Sequence, residues 1–176
     1  ISFAEDSKRY DQIRIIDLEG NEVNRINSSN GMYSAIDKSE LQNKSDRYYF
    51  EKAITLGQGE IYVSPFDLNS EKGDIELPYK PMIRIAISQF NEDNERTGVL
   101  ITNYLGDQLL DILRNQQLDS KICLHLVNHK GQFLYHSEKD YAWSFMFEDP
   151  ISLVDEFPNV FQSIQSGIND VIEDGQ

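Results

Sequence analysis

Cysteine is almost missing from this chain of 176 residues. Cys123 stands alone, which excludes an internal disulfide framework and a cysteine-only zinc site. Bases are scarce: 16 Lys and Arg face 30 Asp and Glu, for a formal net charge of -14. So acidic a chain lacks the basic patches that nucleic acid demands, and an anionic membrane surface repels it. No run approaches the roughly 18 apolar residues of a membrane span. A GxSxG nucleophile elbow, an HExxH pair and a glycine-rich phosphate loop are also missing. Catalysis therefore has no motif to rest on, and so many carboxylates make paired acids unavoidable by chance. The first residue is Ile1 and no signal peptide precedes it, which predicts a segment taken from a longer protein.

What is present is globular. Hydrophobic residues make up 39% and aromatics 11%, enough for a real core in a chain that should bury about 70% of its extended surface. Ile13, Ile15 and Ile16 run into Asp17, a Gly20-Asn21 turn follows, and β-favouring residues resume at 22–26; this predicts a hairpin. Residues 27–45 are rich in Ser and Asn and read as loop. Ser45 and Asp46 offer an N-cap to a helix over 47–56, stopped by Gly57 and Gly59. A strand over 60–65 ends at Pro65, and 66–77 reads as a polar loop. Residues 82–90 and 97–103 form a second predicted hairpin. Leu105, Leu109, Leu110 and Leu113 share one face of an amphipathic helix. A third hairpin is expected over 122–136, with Cys123 packed in its first strand, and a helix over 154–166.

An internal repeat organises this series. Ile15-Ile16-Asp17-Leu18-Glu19-Gly20-Asn21 parallels Leu126-Val127-Asn128-His129-Lys130-Gly131-Gln132, 111 positions on. Both read apolar-apolar-Asx-x-charge-Gly-amide, in which an Asx side chain bonds the following backbone and Gly enters positive φ. A second pair of segments, 53–62 and 163–172, matches at an offset of 110. The expected fold class is therefore α+β: a first module, 1–118, with a five-stranded antiparallel sheet flanked by helices, then a partial second module of the same kind, 119–176. The first carries 20 acids and 13 bases, the second 10 acids and 3 bases. Each is net -7, so charge density doubles across the boundary.

His125, His129 and His136 lie close together, but the surrounding alternation is that of a strand and turn, so no metal is expected there. No cofactor is implied. The residues best suited to binding cluster elsewhere. Arg47, Tyr48, Tyr49 and Phe50 open the predicted helix, Tyr62, Ser64 and Asp67 surround the end of the next strand, and Tyr79, Lys80 and Arg84 flank the start of the fourth. A guanidinium offers a bidentate fork to a carboxylate, and tyrosines supply apolar walls with polar tips. The candidate ligand-binding set is Arg47, Tyr49, Phe50, Tyr62, Ser64, Asp67, Tyr79 and Lys80. The same residues admit a structural reading, with Tyr49 and Phe50 as core and Arg47 paired to a neighbouring carboxylate.

Four segments taken in order, 45–53, 60–65, 78–84 and 98–105, resemble the double Cache sensor module. This is a PAS-like extracytoplasmic domain of bacterial histidine kinases, diguanylate cyclases and chemoreceptors. The second piece is similar to its membrane-proximal half through 128–134 and 143–146. The resemblance implies a long N-terminal helix from a first membrane span, two stacked modules, and a second span leading to a cytoplasmic output domain. It implies a periplasmic or extracellular location in an inner-membrane protein and no catalysis in the sensor portion. The membrane is then met only through flanking segments outside this chain, and a homodimer of the intact receptor is compatible with it. In amino-acid-binding relatives an arginine with aromatics two and three residues on holds the ligand carboxylate. Arg47, Tyr49 and Phe50 match that spacing, with Phe50 in place of the usual tyrosine, and Asp67 is the candidate for the ligand amine. The expected function is small-molecule sensing of a polar, carboxylate-bearing metabolite by the first module, in a receptor of the histidine kinase kind. The alternative is a structural or protein-binding module whose pocket is filled by its own side chains.

Overall fold

The computed structural model describes residues 9–29, 32–71, 73–116, 122–138 and 140–167. The chain divides into two compact units, Ile1–Gln108 and Leu109–Gln176.

The first unit is built on β1 (Tyr10–Ile16), β2 (Glu22–Ser29), β3 (Met32–Ala35), α1 (Tyr48–Ala53), β4 (Tyr62–Val63), β5 (Asp67–Leu68), a small hairpin β6 (Ser70–Glu71) and β7 (Asp74–Ile75), β8 (Pro81–Phe90) and β9 (Arg96–Leu105). The main sheet runs β3-β2-β1-β9-β8-β4, with β5 also pairing β8, and all its pairs are antiparallel. It therefore has seven strands where the sequence pattern predicts five. The additions are short: β3 emerges from the Ser/Asn-rich stretch read as loop, and β5 from the polar loop. Weak β-formers are recruited because β2 and β8 offer them unpaired backbone groups.

Two long strands, β8 and β9, pair over their whole length, and β1 lies against β9. Register sets which residues share the face that packs on α1. At one end are Ile16, Val99 and Ile101, with Ala86, packed with Tyr49, Phe50 and Ala53 into the core. Ile13, Ile15, Ile83, Ile85 and Ile87 alternate to the opposite face and are only half-buried. Helix α1 is fastened to this face at its C-terminal end. Ser88 Oγ donates to the Ala53 carbonyl at 2.7 Å, and Arg96 donates to the Leu56 carbonyl at 2.7 Å, as the negative end of a helix favours. The N-cap is Arg47 rather than Ser45 or Asp46, and no side chain caps it. Ser45 is committed instead to Asn43 Oδ1, through both its backbone N–H and its hydroxyl.

Helix α2 (Asp107–Arg114) begins at the end of the first unit, and the second unit follows with β10 (Leu126–Val127), β11 (Phe133–Tyr135), α3 (Leu153–Glu156) and α4 (Pro158–Gln165). Strand β10 is two residues long, so Cys123 lies outside it and is exposed. The single helix expected over 154–166 is two, broken at Phe157 (φ -140°, ψ 68°). The cause is Pro158, whose ring drives the preceding residue out of helical conformation.

The repeated turns are the same object. In each, the first residue's N–H donates to the fifth carbonyl (Asp17 to Asn21, 2.9 Å; Asn128 to Gln132, 3.0 Å), and the glycine N–H donates back to the first carbonyl. The Asx Oδ1 then accepts from the third and fifth N–H groups in both. In both, the glycine carbonyl next accepts at 2.7 Å from the segment that leads into a helix, from Lys44 in one case and Leu153 in the other. The second matching pair runs past residue 167, so its later part lies outside the described residues. Gly20 and Gly131 sit at φ +86° and +77°, but what a Cβ would strike differs. At Gly20 it meets Ser45 Cα and N at 2.7 Å, which is backbone, and at Gly131 it meets the ring of Phe161 at 2.9 Å, which can turn. Either alanine should lose about 1–2 kcal/mol for the left-handed backbone. Gly20→Ala should lose a further 1–3 kcal/mol or so for crowding, so urea unfolding should rank it well below Gly131→Ala.

Candidate functional site

Moving along the α1-facing side of the sheet, away from the apolar end, the residues turn polar. One cross-strand row reads Arg25, Arg14, Ile101, Ala86; the next reads Asn27, Gln12, Asn103, Arg84. Arg14, Arg25 and Arg84 are all at least nine-tenths buried. Arg14 and Arg25 are directly opposite each other, a destabilising pairing of like charges. Glu22 resolves it: Oε1 lies 3.1 Å from Arg14 Nε and Oε2 3.0 Å from Arg25 Nη1. A bulge between Ile15 and Ile16 makes this reachable, since it brings Glu22 and Arg25, three apart, to the same face of a strand.

Arg84 has its own set of partners. Its Nη1 donates to Asp67 Oδ1 at 2.5 Å and to the Tyr48 hydroxyl at 3.3 Å, and its Nη2 donates to Asn69 Oδ1 at 3.1 Å. Tyr48 in turn donates to Asp67 Oδ2 at 2.6 Å. The guanidinium lies over the Tyr49 ring, 5.1 Å from its centroid. Ser64 Oγ accepts from the Arg84 backbone N–H at 2.8 Å. Burial pushes the Tyr48 hydroxyl above its ordinary range, and Asp67 adds to this against the opposing pull of Arg84. Burial alone would lower Arg84, but the charge and hydrogen bond of Asp67 together with Tyr48 and Tyr49 outweigh it, and the guanidinium is held more firmly protonated.

Beside this polar zone lies a cavity of about 280 Å³, lined by Asp11, Gln12, Arg25, Asn27, Ser28, Gln42, Glu76 and Lys80. Lys80 Nζ bridges its rim, 2.6 Å from Glu76 and 3.6 Å from Asp11. Glu76 also accepts from Asn69 Nδ2 at 2.8 Å, which joins the cavity to the Arg84 cluster. Burial holds the Asp11 carboxyl above the ordinary carboxylate value, with Lys80 pulling it back in part. Burial also works against the Lys80 ammonium, but its bond to Glu76 and the charge of Asp11 keep it above its usual value.

Of the residues singled out from sequence, Tyr49, Ser64 and Asp67 meet around Arg84, and Lys80 lines the cavity. Tyr62 packs at the edge of the core, and burial, with the nearby Asp67 charge, raises its hydroxyl. Tyr49 and Phe50 are core residues, 5% and 6% exposed. Arg47 pairs with its neighbour Asp46 at 3.9 Å, and Tyr79 is exposed. Arg14, Glu22, Arg25 and Asn27 were missed. For Arg14 the signal was the period of two in β1, which aligns Gln12, Arg14 and Ile16, masked by the more conspicuous isoleucines between them; Glu22, Arg25 and Asn27 lie in β2, where the bulge takes Glu22 out of that period. In the second unit His125 and His136 stack at 4.1 Å between ring centroids, and burial, then the His136 charge, lowers His125. Among the described residues no three His, Cys, Asp or Glu are placed to hold a metal.

Arg84→Met leaves Asp67 largely buried without its cation and should lower stability by about 3 kcal/mol in urea unfolding. Tyr48→Phe removes one hydrogen bond and should cost about 1 kcal/mol. Asp11 makes stability pH-dependent. From 3.8 up to its raised value the folded state binds more protons, so stability falls as pH rises through that window. Asp11→Asn should flatten the slope there, read from unfolding midpoints across the acid range.

No curated protein matches the chain in sequence. Solved structures share its fold. A domain of a sensory box/GGDEF family protein from Vibrio parahaemolyticus matches at TM-score 0.86 and 23% identity, over 99% of this chain and 66% of that one. The extracellular domain of the histidine kinase vpHK1S-Z8 matches at 0.85 and 24%, over 99% of this chain and 63% of that one. The ligand-binding domain of the Campylobacter jejuni chemoreceptor Tlp3, in complex with L-norvaline, matches at 0.56 and 12%, over 87% of this chain and 51% of that one. The chain spans about two thirds of the length of the first two. No helix among the described residues is long and apolar enough to cross a membrane. Residues 1–176 match the family model described as bacterial histidine kinase, sensor domain, and the chain belongs to that family of sensor, not catalytic, domains.

Proposed function

We propose that this chain is the extracytoplasmic sensing part of a bacterial transmembrane receptor, of the histidine kinase kind. In this reading the first unit is the membrane-distal module and holds a small polar, carboxylate-bearing metabolite. The observation that carries this is the charge of the α1-facing side of its sheet. Across a chain of net charge -14, Arg14, Arg25 and Arg84 are buried on this side and Lys80 is half-buried at the rim of the cavity. Their anionic partners are Glu22, Asp67, Asp11 and Glu76. An anionic ligand can take the place of one of these carboxylates at a cation, Lys80 above all, since one charge-assisted hydrogen bond is then exchanged for another. The fold shared with Tlp3, whose structure contains an amino acid, supports a small-molecule ligand.

Signalling then follows from differential affinity, since a ligand shifts a receptor only by binding one of its states more tightly. A continuous chain of polar contacts runs from the cavity to helix α1 through Glu76, Asn69, Arg84, Asp67 and Tyr48. Ligand that competes for Lys80 or Glu76 therefore acts on the contacts that seat the helix.

A thermal-shift series with small carboxylates tests the proposal. A ligand at 100 times its Kd should add about 2.7 kcal/mol of stability, and Lys80→Ala should reduce the shift. If Arg47→Ala abolishes the shift and Lys80→Ala leaves it intact, the ligand sits at the entrance of α1 instead. If no carboxylate or amino acid shifts the unfolding temperature, the chain is a module without a small ligand.

A further inference from the structure

Two of the three histidines face each other in the second unit. Leu126 pairs with Tyr135, so the next residues in register across the hairpin are His125 and His136. Their rings stack, 4.1 Å between centroids and 18° from parallel. Tyr141 also stacks on His136, at 4.6 Å and 27°. Phe133, fully buried, stands across both imidazoles at 5.8 and 4.7 Å. The same stack holds the segment 141–146. Two residues after Tyr141, the Trp143 N–H donates to the Phe133 carbonyl at 2.9 Å. Trp143 is 5% exposed and sits at φ +67°, a left-handed backbone that a bulky side chain keeps only where its surroundings hold it.

This arrangement has no place for two charges. An imidazolium donates from both nitrogens and needs an acceptor at each. His125 Nδ1 is buried without a partner among the described residues. His136 Nδ1 already accepts from the Glu138 N–H at 3.0 Å, a bond that a proton there would end. A cation on His136 alone is eased by the Tyr141 ring. A second on His125 meets the first at stacking distance, in a half-buried site where water screens it poorly. The other titratable side chains on these segments are Tyr135, half-buried, and Cys123, His129, Lys130, Glu138 and Asp140, all exposed. Burial, then the His136 charge, lowers His125 from its ordinary 6.5. Between that value and the lowered one the unfolded chain binds more protons, so stability falls as pH falls through the window.

We propose that the His125–His136 stack is an acid-sensitive latch: when both rings are protonated they part, Tyr141 is released and the Trp143 turn relaxes. A histidine pair suits this role because imidazole changes charge close to neutral pH, where free carboxylates and lysines do not. The second unit then responds to acidity, an input separate from the small molecule proposed for the first unit and independent of it.

The 176-residue chain is tested without ligand. Trp143 is its only tryptophan, so its emission reports this turn alone. As pH is lowered from about 7.5 to about 5, the range in which histidines titrate, the emission maximum should move to longer wavelength. The midpoint should lie below 6.5, and the shift should reverse when base is added. His125→Phe and His136→Phe keep an aromatic ring in the stack but cannot take a proton, and each should abolish the shift. His129→Gln, at an exposed turn position, should leave it intact. An emission maximum that does not move overturns the latch. So does a shift that survives both phenylalanine variants or is lost in His129→Gln. Should the phenylalanine variants not fold, proton NMR of His129→Gln decides, since its imidazole resonances come from the stacked pair alone. Those resonances should move over the same pH range as the emission, and movement of one without the other overturns the latch. Each of these failures leaves small-molecule sensing by the first unit standing, because no ligand enters the test.

Discussion

A guanidinium cannot leave water unless acceptors replace the water it loses. Arg14, Arg25 and Arg84 lie buried on one face of one sheet, and the first unit is arranged around that demand. Glu22 is shared between two of them, and it reaches both because a bulge in the β1–β2 pair turns it inward. Asp67 and Asn69 answer the third, and they are held in place as β5 joins the edge of β8. Strand β5 and the bulge thus both bring acceptors to buried guanidinium groups.

That demand divides the sheet. Toward the β1–β2 turn, the face against α1 is apolar and gives the helix its footing on Ile16, Val99 and Ile101. Toward the other end it is polar and borders a cavity lined by polar and charged residues. Helix α1 spans the transition: Phe50 and Ala53 sit in the core, while Tyr48 reaches Asp67 and Arg84. A helix seated partly on hydrocarbon and partly on a hydrogen-bonded charge network is sensitive to anything that alters the network, because hydrogen bonds are directional and hydrophobic contact is not. A ligand in the polar cavity, as proposed, would be felt by this helix.

The resemblance between the halves of the chain is legible because it rests on local chemistry. An Asx followed three residues later by glycine closes a turn through its own side chain, and nothing distant is needed. The two turns accordingly share their hydrogen bonds one for one, down to the glycine carbonyl that receives the next segment. The spacing of the candidate binding set admits two readings. Tyr49 and Phe50 have the spacing of a ligand clamp, but the same spacing places them on the core face of a short helix. Arg47 precedes them at the helix start, 3.9 Å from the carboxylate of its neighbour Asp46.

The sequence by itself determined the antiparallel α+β architecture, the three hairpins, the two Asx-Gly turns and the acidic surface, because each follows from composition or from residues a few positions apart. Tertiary structure alone decided which cations are buried and what they face. Arg14, Arg25 and Arg84 are brought together by strand pairing, and Asp67, Asn69 and Glu76 by a loop returning to β8. The pairing register that aligns them is a property of the whole sheet, and a shift of one residue would have turned every one of those strand side chains to the other side.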